Sequence, residues 1–422
     1  MNGITKLAIA AACGLALSAC GGGGDDSPMV TSHSNPPIPA TLSYVVSTLA
    51  GSASVNYHSG SADGPVASAT FNFPEGVAVG PDGSVYVADT YNNKIRKIAN
   101  GMVSTVAGTG SLGNEVSTNI DGPCGSALFS EPISLAVDQN GTIYVADTMD
   151  QVIRKITNPG TAACTVSTLA GTTNVMGYVD GTGSAAQFSD PTGLTLDAAG
   201  NVYVTSDNYT IRKITPAGVV TTIASDQAAL ANIYGSPPHL WGIAMDGSGN
   251  LYVSDPASTV PTNVTSVPPS SVVTVTNDST LTAAALTVSS TPPIAALNTS
   301  TNTNNIIKIT PSGVVSTWAG SGTACGFADG VGASAAFCVP SGMAFGPDGA
   351  LYVADASNGA IRRITPNAQV TTIAGTVAGA TVTSGWTPSL VGWKDGPISQ
   401  ALFFQPTGVA VDANGVIYVA DM

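Results

Sequence analysis

The chain has 422 residues, 43% of them hydrophobic, with 48 glycines, 27 prolines and only 9% charged side chains. That supplies apolar material for a large core, while scarce Glu, Lys and Arg and abundant turn formers speak against a helical protein and for many short strands. The net charge of −14 repels phosphate backbones, which argues against nucleic-acid binding, and leaves no basic patch for anionic lipid.

Lys6 and the N-terminal amine precede an apolar run over 7–17 that is too short to cross a bilayer. The run ends in Leu17-Ser18-Ala19-Cys20, which resembles the bacterial lipobox. The resemblance implies that residues 1–19 are a lipoprotein signal peptide and that Cys20 becomes the first mature residue and carries the lipid. An ordinary secretory leader with an incidental cysteine is the alternative. The following stretch, GGGGDDSPMVTSHSNPPIPAT, lacks apolar periodicity and reads as a flexible tether within 20–43. Gly21 stands where aspartate signals inner-membrane retention in Gram-negative lipoproteins, which points to the outer membrane. The expectation is an exported protein, lipid-anchored to the cell envelope.

From residue 44 onward one unit recurs. Its first strand and turn read EGVAVGPDG from Glu75, ISLAVDQNG from Ile133, TGLTLDAAG from Thr192, WGIAMDGSG from Trp241, SGMAFGPDG from Ser341 and TGVAVDANG from Thr407. A second strand follows at once: VYVAD (85–89), IYVAD (143–147), VYVTS (202–206), LYVSD (251–255), LYVAD (351–355) and IYVAD (417–421). A third alternates Ile with basic residues, as in KIRKI (94–98), VIRKI (152–156), TIRKI (210–214), IIKI (306–309) and AIRRI (360–364). A fourth reads VSTLAG (46–51), VSTVAG (103–108), VSTLAG (166–171), VTTIAS (220–225), VSTWAG (315–320) and VTTIAG (370–375).

These segments resemble the NHL repeat, with its P-x-G-(V/I/L)-A-(V/L)-D, (V/L)-Y-V-A-D and I-R-K-I pieces. The resemblance implies an all-β fold: a six-bladed β-propeller of four-stranded antiparallel blades over 44–422. Physics agrees, because a lone four-stranded sheet cannot bury both faces whereas a ring of sheets can. The count gives six first, second and fourth strands but only five third strands. The fourth strand at 46–51 stands alone at the start and should join the last blade, closing the ring. That blade then lacks a third strand, leaving it open, filled by another segment, or completed by chain beyond residue 422.

Several features depart from the repeat. A Ser/Thr/Pro-rich insertion, 256–303, splits the fourth unit; it is either a disordered surface loop or an arm over one face. Asp-Gly pairs at Asp63, Asp121, Asp180, Asp329 and Asp395 stand on equivalent loops. They form either a ligand rim able to take a cation such as calcium, or simple turn chemistry, the better supported reading because no calcium-loop spacing accompanies them. His239 and Trp241, beside a first strand, complete the candidate rim. The second-strand aspartates (Asp89, Asp147, Asp255, Asp355, Asp421) and third-strand arginines (Arg96, Arg154, Arg212, Arg362) recur with the fold and read as structural. Of the cysteines beyond the leader, Cys325 and Cys338 flank one loop and should form a disulfide. Cys124 and Cys164 are expected at opposite ends of a blade, which speaks against their pairing.

Resemblance to propeller enzymes, the lactonases and amidating lyases, implies metal ligands or acid–base groups at the channel mouth. The chain has three histidines in all, and no G-x-S-x-G, H-E-x-x-H or phosphate loop. The leading expectation is a monomeric, non-catalytic scaffold without cofactor, binding a protein or glycan at the cell envelope. A metal-using propeller enzyme is the alternative.

Overall fold

The computed structural model describes residues 3–10, 43–51, 60–110, 120–206, 210–225, 242–255, 295–296, 304–322, 325–375, 392, 394–398 and 400–422. They form six antiparallel sheets, one per repeat. In blade I the strands run outward as Pro74–Val79, Val85–Asp89, Lys94–Ala99 and Met102–Ala107. The first strands of successive blades touch each other in a closed ring, blade VI returning to blade I. This is the six-bladed all-β propeller.

The P-x-G motif explains why the inner ring closes. A Cβ on Gly76 would stand 2.5 Å from the Ile133 carbonyl oxygen of the next blade, and one on Gly408 would strike the Glu75 carbonyl. Only a residue without a side chain lets neighbouring inner strands approach this closely. Hydroxyls on the residue before the glycine add cross-blade hydrogen bonds: Ser341 donates to the Thr407 carbonyl at 2.9 Å, and Thr407 to the Glu75 carbonyl at 3.2 Å. Between blades, apolar residues of the second and third strands form the core, with Val87, Val145, Val204, Val253 and Val353 fully buried.

Three expectations are corrected. Among the described residues, five of the six blades carry a fifth strand of two residues, such as Gly64–Pro65 and Gly122–Pro123, on the outer edge. These are the Asp-Gly loops, which turn along the fourth strand rather than merely linking blades. The same edge strand joins Cys124 to Cys164, 5.4 Å apart at Cα. Pro123 pairs with Thr165, so antiparallel register brings the residue after one strand beside the residue before the other. Cys325 and Cys338 are also paired.

The third correction concerns closure. The strand Ser43–Gly51 does join blade VI, but Gly3–Ala10 lies between it and Ile417–Asp421. The register of Gly3–Ala10 is that of a third strand. Ile4, Thr5, Lys6 and Leu7 oppose Ala420, Val419, Tyr418 and Ile417, as Ile95, Arg96, Lys97 and Ile98 oppose Ala88, Val87, Tyr86 and Val85. Even the register shift toward the fourth strand falls in the same place, between Ile4 and Thr5 as between Ile95 and Arg96. The start of the leader-like segment thus holds the place that strand counting leaves empty. Residues 20–42 of the tether lie outside the described residues, as does most of the insertion; Ala295–Ala296 pairs in parallel with the fourth strand of blade III.

Candidate functional site at the channel mouth

The inner strands surround a narrow axial cavity of ≈ 80 Å³, room for a few waters. All six inner strands line it with the glycine of P-x-G, or its counterpart Ser134, and the residue after it; Glu75, Ile133 and Thr407 join them from the position before. The position before the glycine holds Ile133, Thr192, Ser341 or Thr407 in the other described blades, and Glu75 in blade I. An ionisable side chain here breaks the repeat. Burial, reinforced by the charge of Glu131, pushes the Glu75 carboxyl from its ordinary 4.5 up to about 7. Near neutral pH this group therefore holds a proton part of the time and can both donate and accept.

Glu131 belongs to the residue just before the proline of blade II, in the left-handed region at φ 48°. Its N–H donates to Asn93 Oδ1 at 2.8 Å, so the turn after the second strand of blade I fixes its backbone. The device recurs: Asp190 N–H donates to Gln151 Oε1 at 2.6 Å, and Val339 N–H to Asn304 Oδ1 at 2.8 Å. The conformation recurs before the inner-strand prolines, at φ 50° for Phe73, 43° for Asp190 and 55° for Val339, so it belongs to the fold and persists because its surroundings hold it. Tyr91 completes the group. Burial and the charges of Glu131 and Glu75 raise its hydroxyl pKa. Its ring lies 4.6 Å from that of Phe73, and both are more than 40% exposed. Two carboxyls and an exposed aromatic pair, one of whose rings is the Tyr91 phenol, thus come together between blades I and II, with Glu75 lining the channel. The arrangement suits a hydroxyl-rich or polar ligand laid against the rings.

The Asp-Gly carboxylates lie elsewhere, on the outer edge, and protein donors occupy them. Asp63 accepts from Arg96 at 2.7 Å and from the Thr105 N–H at 3.0 Å. Asp121 does the same with Arg154 and Thr168, Asp180 with Arg212 and Thr222, and Asp329 with Arg362 and Thr372. Asp395 accepts from Thr48. The arginines are fully buried, and Arg96, Arg154 and Arg362 also pair at 2.6 Å with the second-strand aspartates Asp89, Asp147 and Asp355. Those aspartates accept backbone N–H groups from the loop before the inner strand of their own blade, as Asp89 does from Asn72. The repeated Asp and Arg residues therefore tie each blade together. Each guanidinium also sits over a buried phenylalanine, Phe71, Phe129, Phe188 or Phe337, at about 5 Å. His239, Trp241 and Cys20 lie outside the described residues. Among the described residues no three His, Cys, Asp or Glu side chains gather as a metal site would need.

Sequence reasoning missed Glu75, Glu131 and Tyr91, although the signal for Glu75 was present. It is the only carboxylate among the six residues that precede the P-x-G glycine or its counterpart. The phenylalanines were legible too, as an A-x-F motif at 69–71, 127–129, 186–188, 335–337 and 401–403.

The NHL repeat model matches residues 71–98 and 337–364, in both cases from the buried phenylalanine to the end of the arginine strand. The chain carries NHL repeats. The chloroplastic protein suppressor of quenching 1 of Arabidopsis thaliana is 40% identical over 99 residues, 23% of this chain and 9% of that protein. NHL repeat-containing protein 2 of Gallus gallus is 38% identical over 73 residues, 17% of this chain and 10% of that one. The match thus spans about a tenth of either relative. Among solved structures, a Bacteroides thetaiotaomicron protein of unknown function superposes with a TM-score of 0.57 at 17% identity, covering 99% of this chain and 90% of its own. An auxiliary nutrient binding protein of the same organism gives 0.56 at 16%, covering 88% and 74%. These likenesses are of fold.

Proposed function

We propose that this protein is a non-catalytic binding propeller of the cell envelope that takes a protein or glycan ligand at the channel mouth around Glu75. One observation carries the reading: beside the axial cavity, a position that the other described repeats fill with Ile, Thr or Ser holds a carboxyl group lifted to about 7, near a second carboxylate and an exposed aromatic pair. Groups that hold a fold together recur with it; groups that serve a ligand interrupt it. Two propellers of the same fold, from Bacteroides thetaiotaomicron and Bacteroides ovatus, are described as auxiliary nutrient binding proteins, which is compatible with this use. Lipidation at Cys20 and the tether behind it would place the propeller at the outer membrane of a Gram-negative cell, acting as a monomer.

A second reading, acid–base catalysis by Glu75, draws on the same displaced carboxyl. A glycan array probed with the wild-type chain and with Tyr91→Ala separates the proposals. Binding that needs Tyr91 and leaves the glycan intact supports the binding propeller. Turnover of the bound compound that disappears with Glu75→Gln supports the enzyme. Absence of binding to glycans and to envelope proteins alike overturns the first reading. Fractionation after labelling with a radioactive fatty acid, with Cys20→Ala as control, tests the anchor.

A further inference from the structure

Blade III keeps the buried arginine but lacks the buried carboxylate that it meets elsewhere. Arg212 opposes Val204 as Arg96 opposes Val87, and its guanidinium lies 5.2 Å from the centre of the Phe188 ring. Ser206 opposes Pro191 as Asp89 opposes Pro74, Asp147 Pro132 and Asp355 Pro340. A serine therefore stands where blades I, II and V hold an aspartate. In those blades the aspartate accepts from the arginine Nη1 at 2.6 Å and from the N–H of the residue after the buried phenylalanine at 2.7–2.8 Å. In blade III, Arg212 Nη1 donates to the Gln187 carbonyl alone, at 2.9 Å. The N–H of Ser189, which follows Phe188, finds no acceptor among the described residues. Ser206 is fully buried, and its hydroxyl has no hydrogen-bond partner among them.

Three donors thus border the place that a carboxylate takes in the other blades: a guanidinium, a hydroxyl and a peptide N–H. The serine oxygen corresponds to the aspartate carboxyl carbon, which leaves the room of the two carboxylate oxygens. A buried hydroxyl without a partner is costly, and such groups are nearly always bonded to something. Charge points the same way. In blades I, II and V each guanidinium meets two carboxylates, one of them fully buried. Arg212 meets only Asp180, whose side chain is 48% exposed, and burial holds the Arg212 pKa down despite that partner. One added negative charge restores the two-to-one ratio. A water brings two lone pairs to three donors and no charge, whereas an anion satisfies the donors and the charge together. Because Arg212 and Ser206 are both fully buried, the anion must be small.

We propose that blade III holds a buried site for a small monovalent anion, chloride, bound by Arg212 Nη1, the Ser206 hydroxyl and the Ser189 N–H. The ion replaces the inner carboxylate of the other blades. It ties the second and third strands, Val202–Ser206 and Thr210–Ile214, to the loop before the inner strand Pro191–Leu196, whose Gly193 and Leu194 line the axial cavity. Asp207, next in the chain, lies outside the described residues, and its carboxylate is the rival occupant.

The full chain is melted at constant ionic strength while sodium chloride replaces sodium gluconate. The same series is run on Ser206→Asp, which supplies the carboxylate covalently, and on Asp207→Asn. The wild type should gain about 2 °C or more at saturating chloride, rising with the logarithm of its concentration above the dissociation constant. Asp207→Asn should respond as the wild type does, and Ser206→Asp should lose the response. A crystal of the wild type grown in sodium bromide reads the site without any variant, and should show an anomalous peak within hydrogen-bond reach of Arg212 Nη1 and Ser206 Oγ. No chloride response in the wild type, an equal response in folded Ser206→Asp, a response confined to Asp207→Asn, or a bromide crystal without an anomalous peak at Arg212 would overturn the proposal.

Discussion

Replacing Glu75 by Gln keeps the shape of the side chain and removes its ability to ionise. In the folded chain the Glu75 carboxyl titrates at about 7 instead of 4.5, because burial and the neighbouring Glu131 disfavour its charge. The folded state therefore holds this proton more tightly than the unfolded state. Below pH 4.5 both states are protonated and Glu75 costs nothing. Between 4.5 and 7 the unfolded state ionises first, so stability falls as pH rises, and above 7 the full penalty remains. At ~1.4 kcal/mol per pH unit the ceiling is about 3 kcal/mol, and partial solvent contact brings it to about 1–2 kcal/mol. Urea denaturation followed by tryptophan fluorescence should show Glu75→Gln more stable than the wild type by that amount at pH 8 and equal to it at pH 4. A stability difference independent of pH, or a wild type more stable at pH 8, would refute this account of the channel mouth.

Other positions separate structural groups from functional ones. Arg362→Met leaves Asp355, fully buried, without its partner at 2.6 Å, and should cost about 3–5 kcal/mol in chemical denaturation, part of which Asp355→Asn in the same chain restores. Asp421→Asn should have the opposite effect. Burial holds its carboxyl up at about 7 against the N–H groups of Phe404 and Gln405, so ionisation weakens the fold as pH rises toward 7. Neutralising it should stabilise the chain at pH 8 and change nothing at pH 4, read by melting at the two pH values. Gly342→Ala would push a methyl group into the Thr407 carbonyl and to 2.9 Å from Gly408 Cα, and should lower stability by about 1–3 kcal/mol with no change in ligand binding at blades I and II.

The sequence displayed the ring because the repeat is carried by residues that every blade needs. The small residue of P-x-G lets inner strands touch, the valine of the second strand fills the space between blades, and the arginine binds two carboxylates. A pattern copied this often survives the loss of one member, as in blade IV. What escaped was of two kinds. The two-residue edge strand has no hydrophobic signature, since it pairs through backbone alone; hence the missed bond between Cys124 and Cys164. The strand Gly3–Ala10 carries the pattern, I-T-K-L against I-R-K-I, but within a stretch that also satisfies the rules for an export leader. Local sequence cannot choose between the two roles, because alternating aliphatic residues serve a ladder and an apolar run serves a leader. Glu75 was visible as a break in the repeat. Its raised pKa was not, because that depends first on burial in the assembled ring and then on Glu131 coming from the next blade.

The central claim is that ligand binding depends on the carboxyl group at the axis. The direct test is calorimetric titration of a glycan or protein captured by the wild-type chain into wild type and Glu75→Gln, with circular dichroism to show that both are folded. The account predicts affinity at least tenfold weaker for Glu75→Gln at pH 8. Equal affinity in two equally folded proteins would contradict it.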